Sequence, residues 1–233
     1  GDFEKINTME GEISALREID ENDLIMVSDQ SRIKEELAKH DAERYSNRLS
    51  VRHASEVVEM SDSAVQAVRR KKDSSINRSV DLIKSKEAEA VVTAGHTGAL
   101  VASATIKLRT LPGIGRAGIA TVMPTEKNLF LLIDAGANIE AAPEHLVGYA
   151  IMGSIYSREV IDRTITKPRV GLMSIGSEAG KGNDFTRECY RLLDEADVNF
   201  VGNIEGHALF NDPVEVVVCD GFVGNVVLKT AES

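Results

Sequence analysis

The sequence predicts an α/β fold: a mostly parallel, doubly wound sheet covered on both faces by helices, in three layers. Three observations predict it. Short β-rich runs alternate with helical patterns along the whole chain, the order expected of parallel strands joined by crossover helices. Most of those runs are continuous and apolar rather than alternating, as they must be when both faces of a strand are covered. Aromatic residues make up only 4% of the 233 residues and Trp is absent, while 42% are hydrophobic, so the core is built from Ala, Val, Ile and Leu. A chain of this length can bury such a core, and it reads as one α/β domain over 1–233.

The elements follow in order. Leu24–Val27 and Leu49–Arg52 are predicted strands, with a helix at Ser31–His40 between them. Met60–Lys86 is polar, with helical patterns at Ser63–Arg70 and Ile76–Lys86 and no strand, and is expected to form a lobe beside the sheet. A strand at Ala90–Thr93 and a helix at Gly98–Arg109 come next, then strands at Ile119–Val122 and Leu129–Ile133. The helix at Glu144–Ile161 has Pro143 where a first helical residue would sit. Strand Val170–Met173 precedes helix Asp184–Glu195, whose first turn is acidic, and strands Phe200–Val201 and Val216–Cys219 complete the set. The chain opens on Gly1-Asp2-Phe3 without Met and stops at Ala231-Glu232-Ser233 inside a helical pattern. An incomplete protein is therefore expected, lacking a first strand and a C-terminal part, and a missing targeting signal carries little weight.

Charge narrows the function classes. With 27 Lys+Arg against 37 Asp+Glu the net charge is −10, which argues against general nucleic-acid binding. No apolar run approaches the roughly 20 residues that span a bilayer. Cys189 and Cys219 are far apart and without a metal-ligand pattern, which fits a reduced, cytoplasmic protein. The five histidines are scattered, and neither they nor the carboxylates suggest a metal site. No cofactor is expected.

Five glycine-rich loops follow predicted strands: Ala94–Ala99, Asp134–Asn138, Gly176–Asn183, Gly202–Gly206 and Asp220–Asn225. In a doubly wound sheet such loops open at the carboxyl ends of the strands, where ligands bind. Gly lets backbone approach a ligand, and each following helix offers free N–H groups and a partial positive charge to an anion. Any one such loop is an ordinary strand-to-helix turn; five of them, nearly all carrying Asn, Asp, Thr or Lys, point to a phosphate or similar oxyanion. Two familiar patterns fail. Gly113–Gly118 matches G-x-G-x-x-G by letter but follows a helix and leads into a strand, the reverse of the dinucleotide fingerprint. Gly176–Lys181 is one residue short of a P-loop, and Gly182 stands where the Mg²⁺-holding Ser/Thr would be, so ATP hydrolysis is not expected. Arg69-Arg70-Lys71-Lys72 is the one concentrated basic run. It reads either as a solvated helix end, where cations favour the dipole, or as a docking point for an acidic partner or phosphate.

These segments closely resemble the landmarks of the PlsX-type phosphate acyltransferase family. The resemblance is carried by Arg69–Ile76 (RRKKDSSI), Ala94–Leu100 (AGHTGAL) and Leu111–Ala120 (LPGIGRAGIA). Ile133–Asn138 (IDAGAN), Pro143–Gly153, Val170–Asn183 (VGLMSIGSEAGKGN), Phe200–His207 and Val216–Thr230 continue it. Gly1–Phe3 is similar to the tail of the family's N-terminal motif. His96 stands where Asn is expected and His207 where Arg is commoner, so the contacts of those two side chains differ from the family pattern. The resemblance implies an α/β/α fold akin to isopropylmalate dehydrogenases and phosphotransacetylases. It also implies a cytoplasmic homodimer, peripheral to the membrane in some members, that moves a fatty acyl group from acyl carrier protein to inorganic phosphate for phospholipid synthesis.

The residues suit that chemistry. Phosphate is already anionic and the leaving thiolate is stable, with a pKa near about 8.5 if it behaves as a free thiol, so no enzyme nucleophile is needed. What the reaction needs is fixed N–H donors and a cation to position the anion and stabilise the oxyanion. Lys181 and Asn183 are the candidates for phosphate or oxyanion, with His96 and Thr97 adding contacts. Asn138, Asn203 and Asn225 are expected positioners, and Asp134 and Asp220 are expected to orient Lys181 or neighbouring N–H groups. Gly95, Gly98, Gly176, Gly182 and Gly221 would line the site, and Arg69, Arg70, Lys71 and Lys72 would dock the acidic carrier protein. Cys219 ends a strand close by but is more simply a small buried apolar group. Three alternatives stand beside this reading: a phosphotransacetylase-like enzyme using acyl-CoA, a decarboxylating dehydrogenase (whose metal-binding carboxylates are not visible), and a non-catalytic binding protein at the membrane.

Overall fold

The computed structural model describes residues 11–40, 42–211 and 214–233, so the resemblance at Gly1–Phe3 lies outside the described residues. The chain, read from its sequence as one domain, falls into two compact units, Gly1–Arg109 and Thr110–Ser233.

The first unit contains helix α1 (11–18), strand β1 (Leu24–Ser28), helix α2 (Gln30–Leu37) and strand β2 (Leu49–His53). Helices α3 (Ala64–Arg70), α4 (Ser75–Ser85) and α5 (Thr97–Lys107) follow. The two strands pair in parallel, from Leu24 beside Leu49 to Ser28 beside His53. Little in the sequence marks α1, because Ile13 and Leu16, both buried, are the only large apolar residues of this short stretch. Arg48 receives the end of that helix, donating to the carbonyls of Leu16 and Ile19. The expected polar lobe exists as α3 and α4 packed with α5 on Val58, Ala67, Val68, Ile76 and Ala99. Asn77, only 1% exposed, ties the three helices together. Its amide donates to the carbonyls of Val68 and Lys71, both at 2.9 Å, and its Oδ1 accepts from Ser103 at 2.7 Å.

One predicted element is absent. Ala90–Thr93 is not a strand, and Val92 is 98% exposed. A run of β-formers becomes a strand only when a neighbouring ladder takes up its N–H and C=O groups. Here β1 and β2 pair with each other, and no described strand pairs with residues 90–93.

The second unit contains β3 (Ala120–Pro124), β4 (Leu129–Ile133) and α6 (Pro143–Tyr156), which runs on as a π-helical turn at Ser157–Ile161. Then come β5 (Arg169–Ser174), α7 (Asp184–Asp194), β6 (Asn199–Glu205), β7 (Val216–Val218) and α8 (Gly221–Ala231). The strand order is β3-β4-β7-β5-β6. Only the β3–β4 pair is antiparallel; β4, β7, β5 and β6 all run the same way.

Side-chain alternation sorts the core into two faces. Leu131, Ile133, Val170, Leu172, Val216 and Val218 pack against Leu146, Tyr149 and Ala150 of α6 and Cys189 and Leu193 of α7. Phe130, Leu132, Val217 and Cys219 face the other way, where Val223, Val227 and Leu228 of α8 cover them with Leu209 and Val214. The all-valine β7 is thus central and covered on both sides, each residue 0% exposed. Full burial of such a side chain is worth about 1.5–3 kcal/mol, which is why its pattern is continuous rather than alternating. Strand β6 is longer than the sequence suggests. Val201 is an extra residue that breaks its register with β5, and Gly202 (φ 104°) lets the chain continue, so Asn203 lies inside a strand rather than in a loop.

Candidate active site

Because β4, β7, β5 and β6 are neighbours and parallel, the turns that follow them open along one edge of the sheet in the second unit. The turn after β4 is organised by Asp134. Its carboxylate is fully buried and accepts from the N–H groups of Ile119 (3.0 Å), Gly136 (3.1 Å), Ala137 (2.9 Å) and Asn138 (2.8 Å). The Asn138 amide adds a further bond at 2.9 Å, and reaches the Ala117 carbonyl at 2.6 Å and the Tyr149 hydroxyl at 2.8 Å. Asp134 therefore orients N–H groups, as expected, but it has no oxygen left for substrate and does not reach Lys181. Burial raises the Tyr149 phenol well above its ordinary pKa, and the charge of Asp134 raises it further; Tyr149 stays neutral and can donate.

The α8 turn is pressed onto this loop. Asp220 caps α8, its Oδ1 accepting from the N–H groups of Phe222 and Val223, both at 2.9 Å. Gly221 donates to the Asn138 carbonyl at 2.8 Å. A Cβ added at Gly224 would lie 1.9 Å from the Asp134 carbonyl oxygen, so only glycine allows this approach. Asn225, one turn into the helix, lies against Gly136 and is exposed. Asp134, Asn138, Gly221 and Asn225 are thus one cluster, while Asp220 is spent on its own helix.

The turn after β5 carries the cation. Gly176 is buried under the stem of Lys181; a Cβ there would meet the Lys181 Cγ at 2.7 Å. Lys181 is exposed, and its ammonium group forms no ion pair among the described residues. Gly182 turns the chain at φ 100°, and Asn183 caps α7, its Oδ1 accepting from Thr186 N–H at 2.8 Å and the Thr186 hydroxyl at 2.9 Å. The cap takes up the Asn183 carbonyl oxygen; the amide nitrogen, the part of the side chain able to donate to an anion, forms no hydrogen bond among the described residues. Arg187 steadies the turn by donating to the Gly182 carbonyl and pairing with Asp184. Asn203, on β6, donates to the Glu178 carbonyl at 2.8 Å and so ties β6 to this turn.

The remaining sequence-derived candidates lie in the first unit. His96 caps α5: its Nδ1 accepts from Ala99 N–H at 3.3 Å, and its Nε2 sits 3.1 Å from the Asp62 carbonyl. Both ring nitrogens are therefore engaged, and the ring positions the turn instead of offering a contact to phosphate. Gly95, Thr97 and Gly98 are exposed around it. In the basic run, Arg69, Arg70 and Lys72 are exposed and make no ion pair among the described residues. Lys71 differs. It donates to the Val57 carbonyl at 2.8 Å and pairs with Asp62 at 2.6 Å, so it is a structural cation and not a free docking point.

Sequence reasoning passed over Ala117, Ile119 and Tyr149, which complete the Asp134 cluster. The signal was present in Gly113–Gly118, a glycine-rich segment dismissed because it leads into a strand. A Cβ at Gly118 would lie 3.0 Å from the Tyr149 ring, so the segment is packed directly on α6. Both thiols are buried. Burial, with help from Asp220, pushes Cys189 up to about 12, and burial likewise raises Cys219, whose Sγ lies 3.6 Å from the Asp134 carbonyl. Neither can serve as a nucleophile near neutral pH. No group of three or more His, Cys, Asp or Glu is placed to hold a metal ion among the described residues.

A family profile described as fatty acid synthesis protein matches residues 1–233. The chain belongs to that family. Among its relatives is a phosphate acyltransferase from Geobacter sulfurreducens, 47% identical over 232 residues, covering 100% of this chain and 66% of that protein. A phosphate acyltransferase from Halothermothrix orenii is 45% identical over 234 residues, covering 100% of this chain and 69% of the relative. This member of the family thus spans about two thirds of the length of its curated relatives. In structure it is similar to the EutD phosphotransacetylase from Staphylococcus aureus, with a TM-score of 0.55 and 14% identity over 90% of this chain and 82% of that one. A branched-chain phosphotransacylase from Enterococcus faecalis matches with a TM-score of 0.54 and 13% identity, over 94% and 77%. At such identities the likeness shows the fold, and the phosphotransacetylase-like α/β architecture expected from the sequence is the one found.

Proposed function

We propose that this protein is an acyltransferase that moves a fatty acyl group from acyl carrier protein to inorganic phosphate, giving acyl phosphate for phospholipid synthesis. The observation that supports it best is the row of turns after four parallel neighbours, with the exposed cation Lys181 ahead of α7 and the buried Asp134 carboxylate holding the β4 turn rigid. Rigid donors are what an anionic nucleophile and a developing oxyanion require. A phosphate oxygen attacks the thioester carbonyl carbon, the C–S bond breaks, and the thiolate leaves and takes a proton from water. Lys181 neutralises the phosphate or the oxyanion. Neither buried thiol takes part, and Asp134 has no oxygen free to act as a base.

Exposed Arg69, Arg70 and Lys72 form the docking point for the acidic carrier protein, with Lys71 holding the α3 end in place. The resemblance extends this reading to a cytoplasmic homodimer with peripheral membrane contact. No described helix is long and apolar enough to cross a membrane. Trapping the product with hydroxylamine, in reactions of acyl carrier protein thioester with phosphate, tests the proposal; absence of acyl hydroxamate at high protein concentration would defeat it. The structural likeness to phosphotransacetylases favours one second reading, acyl-CoA as donor. Competition between the two thioesters separates them, and equal or better use of acyl-CoA would favour the second.

A further inference from the structure

Two buried polar atoms at the carboxyl edge of the second unit have no hydrogen-bond partner among the described residues: the hydroxyl of Ser174 and the Oδ1 of Asn203. Asn203 is only 7% exposed. Its amide cannot be turned over, because Nδ2 faces the Glu178 carbonyl, which accepts and cannot donate. Oδ1 is thereby left as a buried acceptor without a donor. Such groups are destabilising in a folded protein, and they persist where something else supplies the missing partner.

The register puts the two residues on one face of the sheet, on neighbouring strands. Asn203 on β6 pairs with Leu172 on β5, and Ser174 lies two residues further along β5. Leu172 faces the layer of α6 and α7, so Ser174 and Asn203 face it as well. They therefore sit at the carboxyl end of that face, beneath the turn that carries Lys181. The cap of α7 satisfies Thr186 N–H and leaves the positive end of the helix directed at the same turn. Residues 179–181, beyond the Glu178 carbonyl that holds Asn203, are exposed, and a side chain at Gly180 would meet nothing within 4 Å.

We propose that Ser174 and Asn203 form the floor of a seat for a protonated oxyanion, hydrogen phosphate, which enters when residues 179–181 move aside, the Glu178 carbonyl keeping its hold on Asn203, and is closed over by Lys181. The inference rests on the reading of this edge as a phosphate-acceptor site. The Ser174 hydroxyl donates to one phosphate oxygen. Asn203 Oδ1, which has no proton to give, accepts the P–OH. Phosphate and arsenate keep such a proton near neutral pH and sulfate does not, so the seat distinguishes anions of similar size and shape.

Calorimetric titration of the protein with inorganic phosphate, arsenate and sulfate tests this, alongside Ser174→Ala, Asn203→Leu and, as a control on the exposed turn, Ser177→Ala. The parent is expected to bind phosphate and arsenate at least about tenfold more tightly than sulfate. Ser174→Ala should weaken phosphate roughly tenfold, the loss of one bond to a charged group, and Asn203→Leu should bring phosphate and sulfate to within about twofold. Removing an orphaned hydroxyl leaves stability unchanged or improved, so Ser174→Ala should melt at or above the parent temperature. It decides the matter if Asn203→Leu does not fold. Parental phosphate affinity in Ser174→Ala, or sulfate bound by the parent as tightly as phosphate, overturns the seat but leaves the acceptor reading standing. A parent that binds no phosphate also overturns the seat; if it makes no acyl hydroxamate either, the acceptor reading falls with it.

Discussion

Gly224→Ala sets a local preference against a tertiary contact, and the contact is expected to win. Gly224 lies inside α8, where Ala is favoured over Gly by about 1 kcal/mol. A Cβ there would nevertheless lie 1.9 Å from the Asp134 carbonyl oxygen, 2.8 Å from its carbon and 3.0 Å from the Cys219 sulfur. Real Cβ atoms essentially never approach closer than 3.0 Å, so α8 must retreat by 3.0 − 1.9, or about 1.1 Å. Backbone stands on both sides of the clash, so no side chain can swing away to relieve it. Such a retreat strains or breaks the Gly221 N–H bond to the Asn138 carbonyl, now 2.8 Å, a loss of about 1 kcal/mol. Overpacking adds about 1–3 kcal/mol, leaving a net destabilisation of about 1–3 kcal/mol after the helix preference is credited. In a protein of this size that lowers the melting temperature by roughly 2–12 °C. Thermal melts and urea titrations of parent and variant measure it, with Gly180→Ala as the control, since a Cβ there meets nothing within 4 Å. A Gly224→Ala protein that melts at or above the parent temperature would refute the claim that α8 is pressed onto the Asp134 loop.

Four further outcomes are expected. Lys181→Ala should melt like the parent, since exposed substitutions stay within about ±0.5 kcal/mol, while hydroxylamine-trapped acyl phosphate falls by roughly two orders of magnitude or more. Arg69→Glu with Arg70→Glu should raise the KM for acyl carrier protein thioester mainly at low salt, whereas Lys71→Ala should lower the melting temperature; a salt-independent KM in the double variant argues against docking there. Burial opposes the charge on Glu215, but the hydrogen bonds from Arg169 outweigh it and hold its pKa below the usual 4.5. Its contribution to stability is therefore present above about pH 4.5 and lost as pH falls through the lower folded value, so urea titrations should show the gap between parent and Glu215→Gln closing in acid. Finally, neither buried cysteine should react with a thiol reagent at pH 8 in the folded protein, and both should react after unfolding; fast labelling of native protein would contradict the packing of Cys189 and Cys219.

Much of this architecture is local information. The continuous run Val216–Val218 can be covered only in the middle of a sheet, and there it lies. Pro143 begins α6, and the polar stretch around Ser63–Lys86 is helical, because their periodicity and terminal residues act within one or two turns. Ala90–Thr93 shows the limit. It has the composition of a strand, but a strand needs a partner, and the pairing of β1 with β2 is decided far along the chain.

The same distinction runs through the site. Sequence alone placed Asp134, Asn138, Lys181 and Gly221 in glycine-rich turns after apolar strands, because turn chemistry and strand periodicity are written in neighbouring residues. Tertiary structure alone decided what each does. Asp134 and Lys71 are charged residues of the kind that reads as functional, yet Asp134 is enclosed by N–H groups from residues 119 and 136–138, and Lys71 is spent on Val57 and Asp62. Asn203 resembles any loop asparagine until a one-residue register shift places it in β6, with no donor to its Oδ1 among the described residues. The physical reason is that a polar atom's role depends on which donors and acceptors surround it once water is excluded. Most of those partners come from elements distant in sequence, and only the packed sheet brings them within 3 Å of one another.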